Sequence, residues 1–530
     1  MTIRMNKFVF PVLLLLLTAG ALLFRAVQLQ RRPMHADEAV QAFIARDLWL
    51  NGKYVYDPNE YHGPTMPYAS AALLHLGTPR KFSDTTEATF RRVPVWFGAG
   101  TILMLWLLSD ALGKPGVLIA GLLTAISPAM VFYHRYYIHE TMLVFFTLAA
   151  MASSWRYTRS GNVGWCLAAG ACLGLMQATK ETSVLVYAAA AFALVLATAL
   201  TRSWNHLLRR APEQDRIPIR PAHLLGGLLV AILVAVTLLS SFFTNLRGPW
   251  DGVLTYLPWT QRAGGDSAHL YPWYHYFHML AYWQWDDGPR WSEGLILALA
   301  GIGFLVGLLP VRDRDLPGAQ IRFVRWLGWY SVLLAAAYSA IPYKTPWCLL
   351  GFHHGFILLA GFGAAALVRW IPTLPLKALL AVVLLAFAGQ LGWQSYRTSF
   401  VKADDPGNPY VYVHTLPDME RLYDDVGQLA QAAPEGHDMI VKVVWHDGYY
   451  WPLPWYLRDF SHVGYWDHMP ADPAASLVLS SPQLDEQLTE KLNATHLMTG
   501  YYGVRPNVLA MLWVRVDVWE AHLRRLGRLD

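Results

Sequence analysis

Apolar stretches long enough to cross a bilayer, about 20 residues each, recur from the N-terminus to about residue 393 and then stop. This repeat constrains the chain more than any motif in it. A segment in lipid must satisfy its backbone hydrogen bonds internally, so it is helical unless it closes a barrel. About eleven segments fit, with approximate limits 8–25, 93–110, 116–133, 141–156, 164–179, 183–200, 223–243, 293–310, 326–341, 347–368 and 376–393. Composition agrees, with 55% of the 530 residues hydrophobic and only 15% charged, against roughly a quarter charged in an average soluble domain. The expected fold is an α-helical polytopic membrane protein, with residues 1–393 forming the membrane domain and 394–530 a soluble C-terminal domain. In that tail Met439–Trp445 and Ser476–Leu479 read as strands, and Asp418–Gln431 and Pro482–Leu492 as helices, which together make a small α/β unit.

The charges orient the spans. With a cytoplasmic N-terminus, the cytoplasmic side receives Lys114, Arg156, Arg159, Arg202, Arg209, Arg210, Arg216 and Arg220. Arg312, Arg314, Arg322, Arg325, Arg369 and Lys377 fall on the same side, as the positive-inside bias requires. The odd span count then puts the tail on the extracytoplasmic side of a cytoplasmic (inner) membrane. Phe8–Phe24 reads as the first span rather than a cleaved signal peptide, because no small-residue cleavage pattern follows before Arg25. The net charge of +5 is carried by loops, so no nucleic-acid partner is expected. Cys166, Cys172 and Cys348 lie in apolar segments as small hydrophobes, without disulfide or metal-ligand spacing.

The polar clusters that set no topology all fall on the outer face. They are His35-Ala36-Asp37-Glu38, Glu60-Tyr61-His62-Gly63-Pro64, His134 to Glu140, Lys180-Glu181, Arg247 to Arg290 and Tyr343-Lys344. Acids, imidazoles and lysines gathered at one face are the layout of an active site at the membrane surface. Of two adjacent carboxylates, Asp37 and Glu38, one can serve as a general base while the other binds a cation or orients it; a solvated loop or a helix cap is the plainer alternative. Lys180 and Lys344 end apolar runs, where a charge is expensive, and two such cations outside suit an anionic phosphate, with snorkelling to the interface as the alternative. His134, His139 and Glu140 can supply ligands to a divalent metal ion, or Arg135 can grip a phosphate, unless the segment is an interfacial belt with caps. The aromatic segments Tyr449–Trp466 and Trp250–Trp291 suit sugar stacking or the membrane interface. No nucleotide-cradling Gly-rich loop is present, which argues against a cytosolic nucleotide-sugar donor.

Asp37-Glu38 in the first outer loop, His139-Glu140 in the next outer hairpin and the run ending in Thr179-Lys180 resemble the GT-C fold glycosyltransferases, which use polyprenyl-phosphate-linked sugars. Protein mannosyltransferases and lipid A aminoarabinose transferases are among them. Longer strings, Met34-His35-Ala36-Asp37-Glu38-Ala39, Tyr61-His62-Gly63-Pro64, Pro342-Tyr343-Lys344-Thr345-Pro346-Trp347 and Tyr450-Trp451-Pro452-Leu453-Pro454-Trp455-Tyr456-Leu457-Arg458-Asp459-Phe460, look like the flippase activity-associated family. The resemblance implies a GT-C fold and transfer of a sugar from a polyprenyl-phosphate donor to an extracytoplasmic glycan, lipid or protein acceptor. It implies Asp37 as base and Glu38 as its partner, with Lys180 and Lys344 holding the donor phosphate and Arg91 and Arg92 helping to neutralise it. His62, Tyr343, Trp451 and Trp455 would face the acceptor or glycan. The alternative is a lipid-linked glycan transporter or a flippase-associated protein without transferase activity, for which polar residues mid-span and repeat symmetry are expected.

Overall fold

The computed structural model describes residues 8–59, 62–77, 79–209, 219–264, 269–311 and 318–529. Of the residues named above, Glu60, Tyr61, Arg210, Arg216, Arg312 and Arg314 lie outside them. The chain forms two compact units: Met1–Leu29, Asp47–His75 and Phe90–Tyr410 make the first, and Gln30–Arg46, Leu76–Thr89 and Val411–Asp530 the second. A linear cut at 393/394 therefore differs from the observed grouping. The loop carrying Asp37 groups with the C-terminal domain, although it follows the first apolar segment in the sequence.

In the first unit a helix occupies each predicted apolar segment. These are Val9–Ala26, Glu87–Met104, Lys114–Ile126, Glu140–Ser160, Val163–Gln177, Ser183–Leu207, Pro221–Leu239, Gly294–Leu308, Ile321–Ala340, Leu350–Trp370 and Leu374–Tyr396. The third segment breaks after Ile126, and a short helix Pro128–Tyr133 follows. Pro128 has no N–H to continue the ladder, and the Ser127 side chain caps the new start by accepting from the Met130 N–H. Among the described residues, five helices are long and apolar enough to cross a membrane, and the chain is a multi-pass membrane protein.

Burial separates these helices. The span ending at Trp370 is 83% buried and packs against Gly294–Leu308, Lys114–Ile126 and Ile321–Ala340, whereas Leu374–Val401 is only 6% buried. An apolar surface that large and that exposed is stable only against lipid. Where helices cross tightly, glycine permits it: a Cβ on Gly170 would lie 2.1 Å from the Gly227 carbonyl oxygen.

The second unit is built on a five-stranded sheet of β1 (Ile440–Val444), β2 (His462–Trp466), β3 (Leu477–Ser480), β4 (His496–Arg505) and β5 (Val508–Arg515), ordered β2-β1-β3-β5-β4. β1 pairs in parallel with β2 and β3, while β5 is antiparallel to β3 and β4. Val444, Val478, Met511 and Trp513 on the sheet pack with Leu484, Leu488 and Leu492. The helix Asp418–Ala432 turns Met419, Leu422, Val426 and Leu429 inward, the spacing of one apolar face. Tail strands β1 and β3 and the two expected tail helices match the sequence reading, while the helix Val516–Arg525 is additional to it. β2, β4 and β5 were not anticipated, because β2 lies in the aromatic run and β4 mixes Gly, Tyr and His without clean alternation.

Gly170→Val should force the helices Val163–Gln177 and Pro221–Leu239 apart and destabilise the protein by about 1–3 kcal/mol. Thermal unfolding in detergent micelles measures this, and an unchanged midpoint would show that the crossing has slack.

Candidate functional site

In the second unit, the sequence His35-Ala36-Asp37-Glu38 begins the helix Ala36–Asn51. The His35 imidazole Nδ1 accepts from the Asp37 backbone N–H at 3.0 Å, and Glu38 reaches back to the His35 N–H at 3.2 Å. This is a reciprocal cap in which a histidine takes the place of the usual serine or threonine. His35 Nε2 then donates to the Tyr412 carbonyl at 3.0 Å, so its protonated nitrogen is fixed by the acceptors around it. The other Glu38 oxygen takes Arg32 at 3.2 Å, and Glu38 is fully buried. Met34 is clasped on both sides, its N–H donating to the Tyr456 hydroxyl and its carbonyl accepting from Thr415.

The acidic pair is thereby split. Glu38 is held on both oxygens, while the Asp37 side chain is 54% exposed and its nearest ion-pair contact is His35 Nδ1 at 4.0 Å. Of the two plainer readings of the pair, a solvated loop or a helix cap, the cap describes Glu38, which shares it with His35. Asp37 is the acid left open. Burial pushes the His35 imidazole below its ordinary range, with Asp37 and Glu38 opposing, and burial does the same more strongly to His414, whose ring lies 5.1 Å from that of His35.

Trp451 packs edge-on against Phe43 and stacks on Tyr450, so it is partly covered. Trp455 does not face a glycan. It is completely buried, its Nε1–H donates to Glu87 at 2.8 Å, and Arg458 lies 4.1 Å over its ring. The tryptophan read from sequence as a sugar platform is a core residue, because it occupies the short helix Leu453–Tyr456, which is buried throughout. The aromatic ring left open nearby in the chain is Tyr449.

In the first unit a second cluster forms around the turn after Val163–Gln177. A Cβ on Gly63 would lie 2.1 Å from the Ala178 carbonyl oxygen, and the chains join through Gly63 N–H to Thr179 O and Thr65 N–H to Ala178 O. Only glycine allows backbones this close, which accounts for the His62-Gly63-Pro64 string. The approach delivers His62 to Glu181, with Nδ1 donating at 3.0 Å, and stacks its ring on Trp259. The other Glu181 oxygen is buried and, among the described residues, has no hydrogen-bond partner.

Lys180 pairs with Glu140, and both are buried. Burial alone would lower the Lys180 ammonium, but Glu140 foremost, with Cys348 and Glu181, holds it above its ordinary value. His139 Nε2 donates to the Gly63 carbonyl, and burial drives its imidazole well below the ordinary range, helped by His62 and Lys180. The His139–Glu140 pair does not fit a metal ion: Glu140 is committed to an ammonium and the His139 Nε2 carries a proton toward a carbonyl. Among the described residues no group of three or more His, Cys, Asp or Glu is placed to hold one.

The remaining predicted cations divide. Lys344 Nζ donates to the carbonyls of Ser339 and Ile341. Arg135 spans the carbonyls of Arg25, Val27 and Gln28, and buried Arg91 donates to the Leu29 carbonyl at 2.7 Å. Arg92 is exposed. Tyr343 bridges Leu270 through its backbone and meets His269 edge-on.

Buried charges that the sequence reading does not single out include Arg25 and Glu293. Arg25 donates from Nε to His134 Nδ1 and from its other nitrogens to the carbonyls of Ala21, Thr124 and Ala125. Glu293 accepts from Ser127, the Ala129 N–H, His353 and Tyr410. Their signal was a single charge at the edge of an apolar run, which sequence alone does not separate from an ordinary span end.

Residues 67–246 match the family described as dolichyl-phosphate-mannose-protein mannosyltransferase. No curated protein sequence matches the chain. Among solved structures, ArnT from Cupriavidus metallidurans bound to undecaprenyl phosphate has a TM-score of 0.62 at 16% identity, covering 94% of this chain and 97% of that one. The oligosaccharyltransferase AglB from Archaeoglobus fulgidus, in complex with an inhibitory peptide and a dolichol-phosphate, has a TM-score of 0.52 at 14% identity, covering 90% and 70%. The fold is thus that of the GT-C membrane glycosyltransferases, as the sequence resemblance implied; the narrower likeness to the flippase activity-associated family is not confirmed by these matches.

Glu140→Gln should leave Lys180 as an uncompensated buried charge and destabilise the protein by about 3–5 kcal/mol. Adding Lys180→Met should recover most of that loss in thermal unfolding, and no recovery would mean that Glu140 acts through another partner. Stability should also fall as pH drops below about 6.5, the unfolded histidine pKa. His35, His139 and His414 titrate lower in the folded state, so their contribution is complete above that pH and is lost on acidification. The unfolding midpoint between pH 7 and pH 5 tests this, and a His414→Gln variant should show a shallower decline.

Proposed function

We propose that this protein is a membrane glycosyltransferase that moves a sugar from a polyprenyl-phosphate donor to an acceptor on the extracytoplasmic side of the cytoplasmic membrane. The observation that carries the reading is the division of labour at the first helix cap. Glu38 is spent on Arg32 and a backbone N–H, so Asp37 stands exposed on a rigid helix start. In this reading Asp37 takes the proton from the acceptor hydroxyl or amide as it attacks the anomeric carbon, and the C–O bond to the lipid phosphate breaks. Glu38 and His35 act by fixing where Asp37 stands.

The ArnT structure bound to undecaprenyl phosphate supports a lipid-phosphate donor. Lys180 and Lys344 are the residues proposed to meet the phosphate. An ammonium has three N–H donors; Lys180 uses one on Glu140 and Lys344 two on carbonyls, which leaves each a donor for an incoming oxygen. Arg92 is exposed and suited to the same anion, whereas Arg91 and Arg135 bind backbone carbonyls and serve the loops that carry them. The leaving phosphate gains charge as the bond breaks, so cations held in place stabilise the transition state more than the ground state. His62, Tyr343 and Trp451 are the acceptor-side candidates that retain exposed surface, with Tyr449 added from the structure.

Asp37→Asn should lower kcat by about 10²–10⁴-fold, the usual contribution of a general base, with the unfolding midpoint unchanged. The assay follows release of polyprenyl phosphate from radiolabelled undecaprenyl-phosphate-linked mannose, glucose and arabinose by the purified full chain. A variant as active as wild type would sink the base assignment, and no turnover of any donor would sink the transferase reading.

A further inference from the structure

Three helices of the first unit, Glu140–Ser160, Ile321–Ala340 and Leu350–Trp370, line a small cavity. Its apolar wall includes Val144, Leu148 and Leu358, and its polar wall is made by Thr147, Tyr330 and His354. The room for the centre of a water molecule is about 10 Å³, close to the least that holds one. Packing beside the cavity keeps that room open. A Cβ on Gly355 would lie 2.3 Å from the Ser331 hydroxyl oxygen, Ser331 is tied to the Leu327 carbonyl at 2.8 Å, and the Tyr330 ring stacks on Trp326 at 5.5 Å and 16°. With the crossing already in contact at Gly355, the helices cannot draw closer and fill the space.

Two side chains of the polar wall are unanswered. The Tyr330 hydroxyl and His354 Nε2 are buried and have no hydrogen-bond partner among the described residues, and the two residues are only 1% and 4% exposed. Their neighbours in the chain do find partners: Ser331 as above, and His353 through Nε2 on Glu293 at 2.9 Å. A hydroxyl or imidazole sealed among membrane helices without a partner is costly, since no bulk water reaches it. Among the described residues no acid, lysine or arginine lines the cavity, so an ion there would have no counter-charge, and the space is too small for any larger solute. We propose that the cavity is the site of one structural water molecule, bonded to the Tyr330 hydroxyl and to His354 Nε2, with the Thr147 hydroxyl as a third partner. A buried water needs two to four such partners. Tyr330 and His354 stand on the helices before and after the Pro342–Trp347 segment that carries Lys344, and Thr147 stands on the helix that Glu140 begins. The water therefore ties the helix entering that segment to the one leaving it, whichever reaction the protein performs.

The test uses the full chain in detergent micelles. An experimental density map that resolves ordered solvent should show one peak within about 3.2 Å of both the Tyr330 hydroxyl and His354 Nε2. Tyr330→Phe, which deletes only the hydroxyl, should lower the thermal unfolding midpoint by about 1–3 °C. His354→Leu should lower it more than His354→Gln, which keeps an amide for the water. In the His354→Leu background Tyr330→Phe should cost less than in wild type, because the two side chains share one water. A dry cavity gives the opposite sign: removing an unanswered hydroxyl leaves the midpoint unchanged or raises it. That result, equal losses in both backgrounds, or a map whose cavity is empty or filled by a turned side chain would each overturn the proposal. Should His354→Leu fail to fold, the map and the sign of the Tyr330→Phe shift decide between the two.

Discussion

Charge buried away from water must be answered by opposite charge or by hydrogen bonds, and most of what is distinctive in this chain follows from that demand. An isolated ammonium or guanidinium in a low-dielectric interior costs several kcal/mol. Each buried cation here meets the cost in its own way. Lys180 takes Glu140, Arg25 takes His134 and three backbone carbonyls, Arg135 takes the carbonyls at the end of the first apolar helix, and Lys344 takes two carbonyls beside the Pro342 break. These contacts hold the irregular segments between helices in one arrangement, and those segments carry the candidate chemistry.

The same demand separates residues that look alike in sequence. Asp37 and Glu38 are adjacent acids, and Lys180, Lys344, Arg91 and Arg135 are all cations near helix ends. Glu38 becomes part of a cap because it occupies the third helical position, from which a side chain reaches back to the preceding N–H. Asp37, one position earlier, points away and remains open. Arg91, Arg135 and Lys344 all donate to backbone carbonyls, whereas Lys180 is held by a carboxylate. Under the proposed function the chemistry is carried by what the local hydrogen bonding leaves over, a quantity no motif states.

Close backbone approach is the second organising feature. Gly63 lies against Ala178 and Thr179, and without that contact His62 would not meet Glu181, 119 residues away in sequence. The string His62-Gly63-Pro64 marked a special place in the chain, but its partner was invisible, since nothing in Lys180-Glu181 encodes which loop will arrive there. Trp455 shows the converse. Its aromatic neighbours suggested a sugar platform, and its burial against Glu87 and Arg458 makes it part of the core instead.

The helical membrane body, the location of its apolar segments and the presence of an α/β tail were legible in one dimension, because lipid and core burial impose periodicities that can be read one residue at a time. The sequence also marked Asp37, Glu38, Lys180 and Lys344, since a charge beside an apolar run is conspicuous in one dimension. Three-dimensional contact was needed to show that the loop after the first apolar helix joins the C-terminal unit, that Glu38 is a cap while Asp37 is open, and that Glu140 is taken up by Lys180. Those outcomes depend on which groups, distant along the chain, satisfy one another's hydrogen bonds and charges. That pairing is a property of three-dimensional contact and leaves no periodic trace in the sequence.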